Sequence, residues 1–100
     1  MRAGGGFDTL LQPMSGAGAT QQLTSLAAAT NLTPPLGSTH AIIQCEGASV
    51  RWWPNSTPTA TVGHLLTADT YLMYDYDLAS IQFIQASSGA ILNVSYFKRI

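Results

Sequence analysis

Charge is scarce in this chain. Four Lys and Arg residues stand against five Asp and Glu in 100 residues, so neither sign can build the patch that phosphates or an acidic substrate require, and nucleic acid is excluded as a partner. Cys45 is the single cysteine, which rules out an internal disulfide and an all-cysteine metal site within one copy. His40 and His64 are far apart, with no Cys or carboxylate at ligand spacing, so no zinc site is expected. No apolar run approaches the roughly 20 residues that a membrane-spanning helix needs. The first residues also lack the basic start and apolar stretch of a signal peptide. A product made in the cytoplasm, with no membrane partner, is the resulting expectation. Asn31, Asn55 and Asn93 each open an Asn-x-Ser/Thr triplet and then read as plain polar residues rather than glycan sites.

Catalytic patterns are missing too. Serines are plentiful, but there is no Gly-x-Ser-x-Gly elbow and no acid–base partner can be named for any of them. Asp75 and Asp77 flank Tyr76 and could offer carboxylates to a cation, yet calcium needs several more oxygens than this segment supplies, and a solvated turn is the simpler reading. The expectation is a protein that is not an enzyme and holds no cofactor.

What the chain does have is alternation. Residues 78–97 read LASIQFIQASSGAILNVSYF, two alternating apolar runs joined by Ser87-Ser88-Gly89. Ile81 and Phe83 share a face opposite Ser80 and Gln82, and Leu92, Val94 and Tyr96 share one opposite Asn93 and Ser95. With Gly89 where a positive φ would be needed, a hairpin is expected. HAIIQCE over 40–46 and SVRWW over 49–53, separated by Gly47-Ala48, read as a second hairpin, with Cys45 in its buried row. Pro54 and Pro58 exclude a central strand in the segment that follows. Segment 22–32 suits either a short helix or a strand, and strand is preferred. Six to eight short strands without a long helix predict an all-β fold: a small antiparallel β-sandwich or jelly-roll-like barrel with an extended N-terminal arm.

Residues 1–20, rich in Gly, Ala and Ser and broken by Pro13, are expected to form that flexible arm, and residues 21–100 the sandwich. Phe7, Leu10, Leu11 and Met14 are large apolar residues in the arm and are expected to order on a partner, filling a groove on a neighbouring protein. Removing residues 1–19 should then leave the isolated domain's stability unchanged. A surface so poor in charge is itself a solubility liability, which also points to cover by partners.

Trp52, Trp53, Tyr71, Tyr74, Tyr76 and Tyr96 could make an aromatic platform for sugars. Alternation puts Val50 and Trp52 on one face and Arg51 and Trp53 on the other, so one indole is core and Trp53 is assigned to a partner contact. Arg51 is the only basic side chain between Arg2 and Lys98; a structural ion pair with Asp75 or Asp77 is expected for it.

The strings AIIQCEGASVRWW, TPTATVG, YDYDLASIQFI and GAILNVSYF, within residues 40–96, resemble a family of short tailed-bacteriophage virion structural proteins. Glu46-Gly47, Val50-Arg51-Trp52, Pro58-Thr59, Gly63, Asp77-Leu78, Ile81, Phe83-Ile84 and Leu92-Asn93-Val94 with Tyr96 match the family pattern. Trp53-Pro54-Asn55-Ser56 departs from it, standing where a polar Arg-Asp-Asp-Gly type of turn is expected. The resemblance implies a non-enzymatic β-strand protein present in many copies in a virion. Its partners would be other virion proteins, either the major capsid protein or head-to-tail and tail proteins, and it would form a homo-oligomer or multi-copy assembly. Capsid decoration or cement is the leading expectation. A head-to-tail or tail accessory protein and a carbohydrate-binding module touching the host surface are the alternatives.

Overall fold

The computed structural model describes residues 11–14 and 19–99. Among these residues nine strands follow in chain order: β1 (Leu11–Pro13), β2 (Thr20–Leu23), β3 (Thr30–Asn31), β4 (His40–Glu46), β5 (Val50–Pro54), β6 (His64–Leu66), β7 (Tyr71–Tyr74), β8 (Ile81–Gln85) and β9 (Ile91–Arg99). They form two antiparallel sheets, one ordered β1-β9-β4-β7 with β2 also on β9, the other ordered β3-β8-β5-β6. No helix occurs among the described residues. The fold is thus the expected all-β sandwich, and segment 22–32 contributes strands to both sheets.

Alternation decides what faces inward. On β9, Leu92, Val94 and Tyr96 are buried while Asn93 and Ser95 are only half-buried on the outer face. Ala41, Ile43 and Cys45 of β4, Val50 of β5, and Ile81 and Phe83 of β8 complete a single core with Leu26, Leu32 and Leu78. Cys45 lies in this core and donates its thiol hydrogen to the Ala48 carbonyl at 3.0 Å. The Tyr96 hydroxyl donates to Gln21 Oε1, which also accepts the Thr33 N–H at 3.2 Å, tying the β2 edge to the segment that leads to β4. Burial pushes the Tyr96 phenol up to about 12.

Both expected hairpins are corrected by the topology. β8 pairs with β5 and β3, whereas β9 pairs with β4, β1 and β2, so residues 86–90 cross from one sheet to the other. Residues 47–49 make the same crossing between β4 and β5, and residues 67–70 make it between β6 and β7. A crossing of this kind needs the same signals as a hairpin, two alternating strands around a residue of positive φ. Gly47 at φ 83° and Gly89 at φ 95° supply that residue here, and Asp69 at φ 68° supplies it in the third crossing. The crossing is favoured because it sets the apolar rows of successive strands against each other, about 10 Å apart, and so builds a core directly.

The three crossings lie side by side at one end of the sandwich. The Ala86 N–H donates to the Ser49 carbonyl at 2.8 Å, the Asp69 N–H to the Cys45 carbonyl at 2.7 Å, and the Cys45 N–H to the Thr70 carbonyl at 2.9 Å. Ser49 Oγ accepts the Ala68 N–H at 3.1 Å. Backbone groups that would otherwise be stranded at the sheet ends are satisfied by this stacking.

Leu11 and Met14 belong to the sandwich rather than to an arm, contrary to the sequence-based expectation. Leu11 is buried in β1 opposite Arg99, the Met14 side chain packs on the core, and its N–H donates to the Tyr96 carbonyl at 3.2 Å. Pro13 did not prevent this, because proline is tolerated on an edge strand, where one row of N–H groups has no partner to lose. Phe7 and Leu10 lie outside the described residues. Deleting residues 1–19 is therefore expected to lower the melting temperature, since burying one leucine contributes roughly 1.5–3 kcal/mol and β9 loses its β1 partner. Thermal melts of the full and shortened chains followed by circular dichroism check this; equal midpoints would mean that β1 adds nothing.

Candidate interaction surface

The outer face of the five-stranded sheet is assembled from the polar members of alternating strands. Its register sets Gln22 of β2 opposite Asn93 of β9, and Asn93 opposite Gln44 of β4. The three amides form a ladder across the strands, Gln22 Nε2 to Asn93 Oδ1 at 2.9 Å and Asn93 Nδ2 to Gln44 Oε1 at 2.9 Å. The next strand continues the row, with Gln44 opposite Tyr71 and Ile42 opposite Met73. A shallow hollow of 340 Å³ lies at the β2 end, lined by Thr20, Gln21, Gln22, Asn93, Val94 and Ser95. None of these side chains is charged. Such a face meets a partner through amide hydrogen bonds and apolar contact rather than through ion pairs.

The outer position of Gln22, Gln44 and Asn93 follows from alternation, but their alignment into a ladder depends on register between strands distant in sequence. Sequence reasoning missed the ladder for that reason.

The aromatic residues expected to act together are divided between edge and interior. Trp52 packs on the core, its ring 4.8 Å from that of His64 and 5.8 Å from that of Tyr74. Trp53, half-buried on β5, meets His64 edge-on at 4.9 Å. The division into an inner and an outer indole matches the alternation, and His64 holds the two together at the β5–β6 edge.

Arg51 forms no ion pair with Asp75 or Asp77, and that expectation is corrected. Its Nη1 donates to the Gly63 carbonyl at 3.0 Å, where the β5–β6 connection folds back over the side chain. Asp75 instead stands 4.0 Å from His40 Nε2, and Asp77 Oδ1 accepts the Ala79 N–H at 3.2 Å as a turn residue. The physical reason is topological. Arg51 sits on β5 in one sheet, while Asp75 follows β7 in the other.

The sequence gives no reason to expect a metal at His40, and its surroundings in the fold are structural. It is buried at the start of β4, with Nδ1 2.8 Å from Thr39 Oγ1, and Nε2 3.4 Å from Arg99 Nη2 and 4.0 Å from Asp75. A hydroxyl, an imidazole and a carboxylate are near one another, but the carboxylate is beyond hydrogen-bonding distance and a guanidinium occupies the same nitrogen's side. The group therefore lacks the relay geometry of a nucleophilic triad.

Desolvation, helped by the Arg99 charge and opposed by Asp75, holds the His40 pKa below its usual 6.5. An unfolded chain binds this proton more readily than the folded one. Stability should thus be fully present above about 6.5 and fall as the pH drops from there towards the lower folded value. His40→Gln is expected to flatten this part of the melting-temperature profile. If the variant and the native chain lose stability in parallel, His40 is not the group responsible.

Comparison of the chain with protein-family models, with curated proteins and with solved structures finds no match.

Proposed function

We propose that the chain is a non-enzymatic structural protein of a tailed-bacteriophage particle, a decoration or cement protein seated on the capsid across neighbouring subunits. The observation that carries the reading is the uncharged row across the outer face, running from Gln22 through Asn93 and Gln44 to Tyr71 and Met73, with Glu46 as its charged neighbour on β4. A rigid two-sheet body presenting such a face suits adhesion to another protein, and the resemblance of residues 40–96 to virion proteins supports the setting. Phe7 and Leu10, beside the Gly-rich run near the start of the sequence, are assigned to the neighbouring capsid subunit.

Sugar binding is a second reading, favoured by the amide ladder beside an exposed tyrosine, since amides and aromatic faces together suit sugar hydroxyls and apolar sugar surfaces. Adding the purified protein to particles produced without it tests the first reading. Saturable binding to heads in a fixed ratio to the capsid protein is expected. Binding confined to tails would move the protein to a tail accessory role, and binding to host glycans without binding to particles would favour the sugar reading.

A further inference from the structure

Natural sheets blunt their edges with proline, charge or shortness, because an open edge strand pairs with whatever strand it meets. Among the described residues, most edges of this sandwich are blunted in one of these ways. β1 ends in Pro13, β3 has two residues and is soon followed by Pro34 and Pro35, and β6 has three residues behind a connection that contains Pro58. β2 presents polar side chains, and Thr33 from the following segment donates to its Gln21. β7 is different. Tyr71–Tyr74 contains no proline, glycine or charge, and among the described residues it pairs only with β4 and ends its sheet.

Of the six large apolar residues exposed among the described residues, all but Leu36 lie on or beside β6 and β7. Tyr71 is 62% exposed, Met73 50%, Tyr76 64%, Leu65 49% and Val62 53%, all on β6, β7 or the segments beside them. The two edges adjoin, since β6 leads directly into β7 through the crossing at 67–70. Tyr71 and Met73 stand on the outer face of one sheet and Leu65 on that of the other, so pairing of two copies would bury at most about 1,200 Å² across the seam, the low end of specific interfaces.

We infer that β7 pairs with β7 of a second copy, antiparallel about a twofold axis, joining the two five-stranded sheets into one. This rests on the multi-copy part of the proposed function and adds the surface that makes it. Opposite residues in an antiparallel ladder must share a face. A register with Leu72 opposite Leu72 of the second copy meets that condition and sets Tyr71 opposite Met73 of the second copy twice over, a favourable thioether–aromatic contact on the outer face. Self-complementarity of this kind is what a twofold interface requires. Asp75 is the one opposing element, since this register brings it near Asp69 of the second copy. Salt screens that repulsion and so strengthens the dimer, the reverse of a charge-driven association.

Sedimentation velocity on the full chain across a concentration series tests the pairing. A monomer–dimer equilibrium that tightens with salt is expected. Met73→Lys and Tyr71→Glu, both at exposed positions, should each weaken the dimer by roughly tenfold or more while circular dichroism stays native, and Leu36→Lys, at an exposed site away from this edge, should not. Mixing Met73→Lys protein with Tyr71→Glu protein should restore a heterodimer, because one lysine then faces one glutamate. Dimers unaffected by both substitutions would overturn the choice of edge, and failure of the mixture to associate would overturn the register. A native chain that stays monomeric at every concentration, yet whose Met73→Lys variant no longer enters particles, would put another protein on β7 and overturn the pairing of copies without touching the virion reading. Loss of particle binding in a chain that still dimerises would do the opposite.

Discussion

Gly47→Ala is expected to lower the urea midpoint of unfolding sharply. A Cβ at this position would stand 2.2 Å from the Gly89 carbonyl oxygen, and the backbone already has φ +83°, where an L side chain is disfavoured. The obstructing atom is backbone, fixed in the stacked crossings by the Ala86 to Ser49 hydrogen bond, so it cannot rotate aside. Relieving the clash means separating two of the three crossings, at a cost above about 3 kcal/mol out of a stability of about 5–15 kcal/mol. Gly89→Ala makes the control. Its φ is +95° but an added Cβ meets nothing within 4 Å, so only the conformational penalty of about 1–2 kcal/mol applies. Urea unfolding of both variants checks the contrast; equal, mild losses would mean that the crossings do not stack as described.

Phe83→Ala should produce the second large loss, about 3–5 kcal/mol from lost burial and the cavity left behind. Phe83 is fully buried on β8 and among the largest side chains in the core that both sheets share. Ser95→Ala, on the outer face of β9, is expected to change stability by less than about 0.5 kcal/mol. Chemical denaturation of the two variants measures the difference. A Ser95 effect as large as that of Phe83 would mean that β9 presents its other face to the core.

Faces were legible in the sequence, and partners across space were not. Alternation alone placed Ile81, Phe83, Leu92, Val94, Tyr96 and Cys45 inside, and it separated the inner Trp52 from the outer Trp53, because a period of two is a local property of the chain. Which sheet each strand joins is not local. Gly47 and Gly89 adopt positive φ as a hairpin would demand, yet serve crossings between sheets. The choice between the two depends on whether β8 finds a better partner in β5 than in β9. The same limit explains Arg51, whose expected aspartates lie in the β7–β8 connection rather than beside β5, and His40, which meets Arg99 from a strand distant in sequence. Leu11 and Met14 were hidden by composition, since a Gly-rich and Pro-interrupted stretch reads as an arm even where a few residues dock on an edge.

The candidate surface shows the same division. Outer positions for Gln22, Gln44 and Asn93 follow from the pattern, and their ladder follows only from register. The open edge at β7 was the least visible of all, because the segment around Tyr71–Tyr74 reads like any other short strand until its neighbours are known to lie on one side only.

Quantitative mass spectrometry of purified phage particles tests the central claim most directly, by counting copies of this chain against the major capsid protein. A decoration or cement protein is expected in a simple fixed ratio to the capsid protein, with many copies per head. A protein absent from the purified particles would contradict the account.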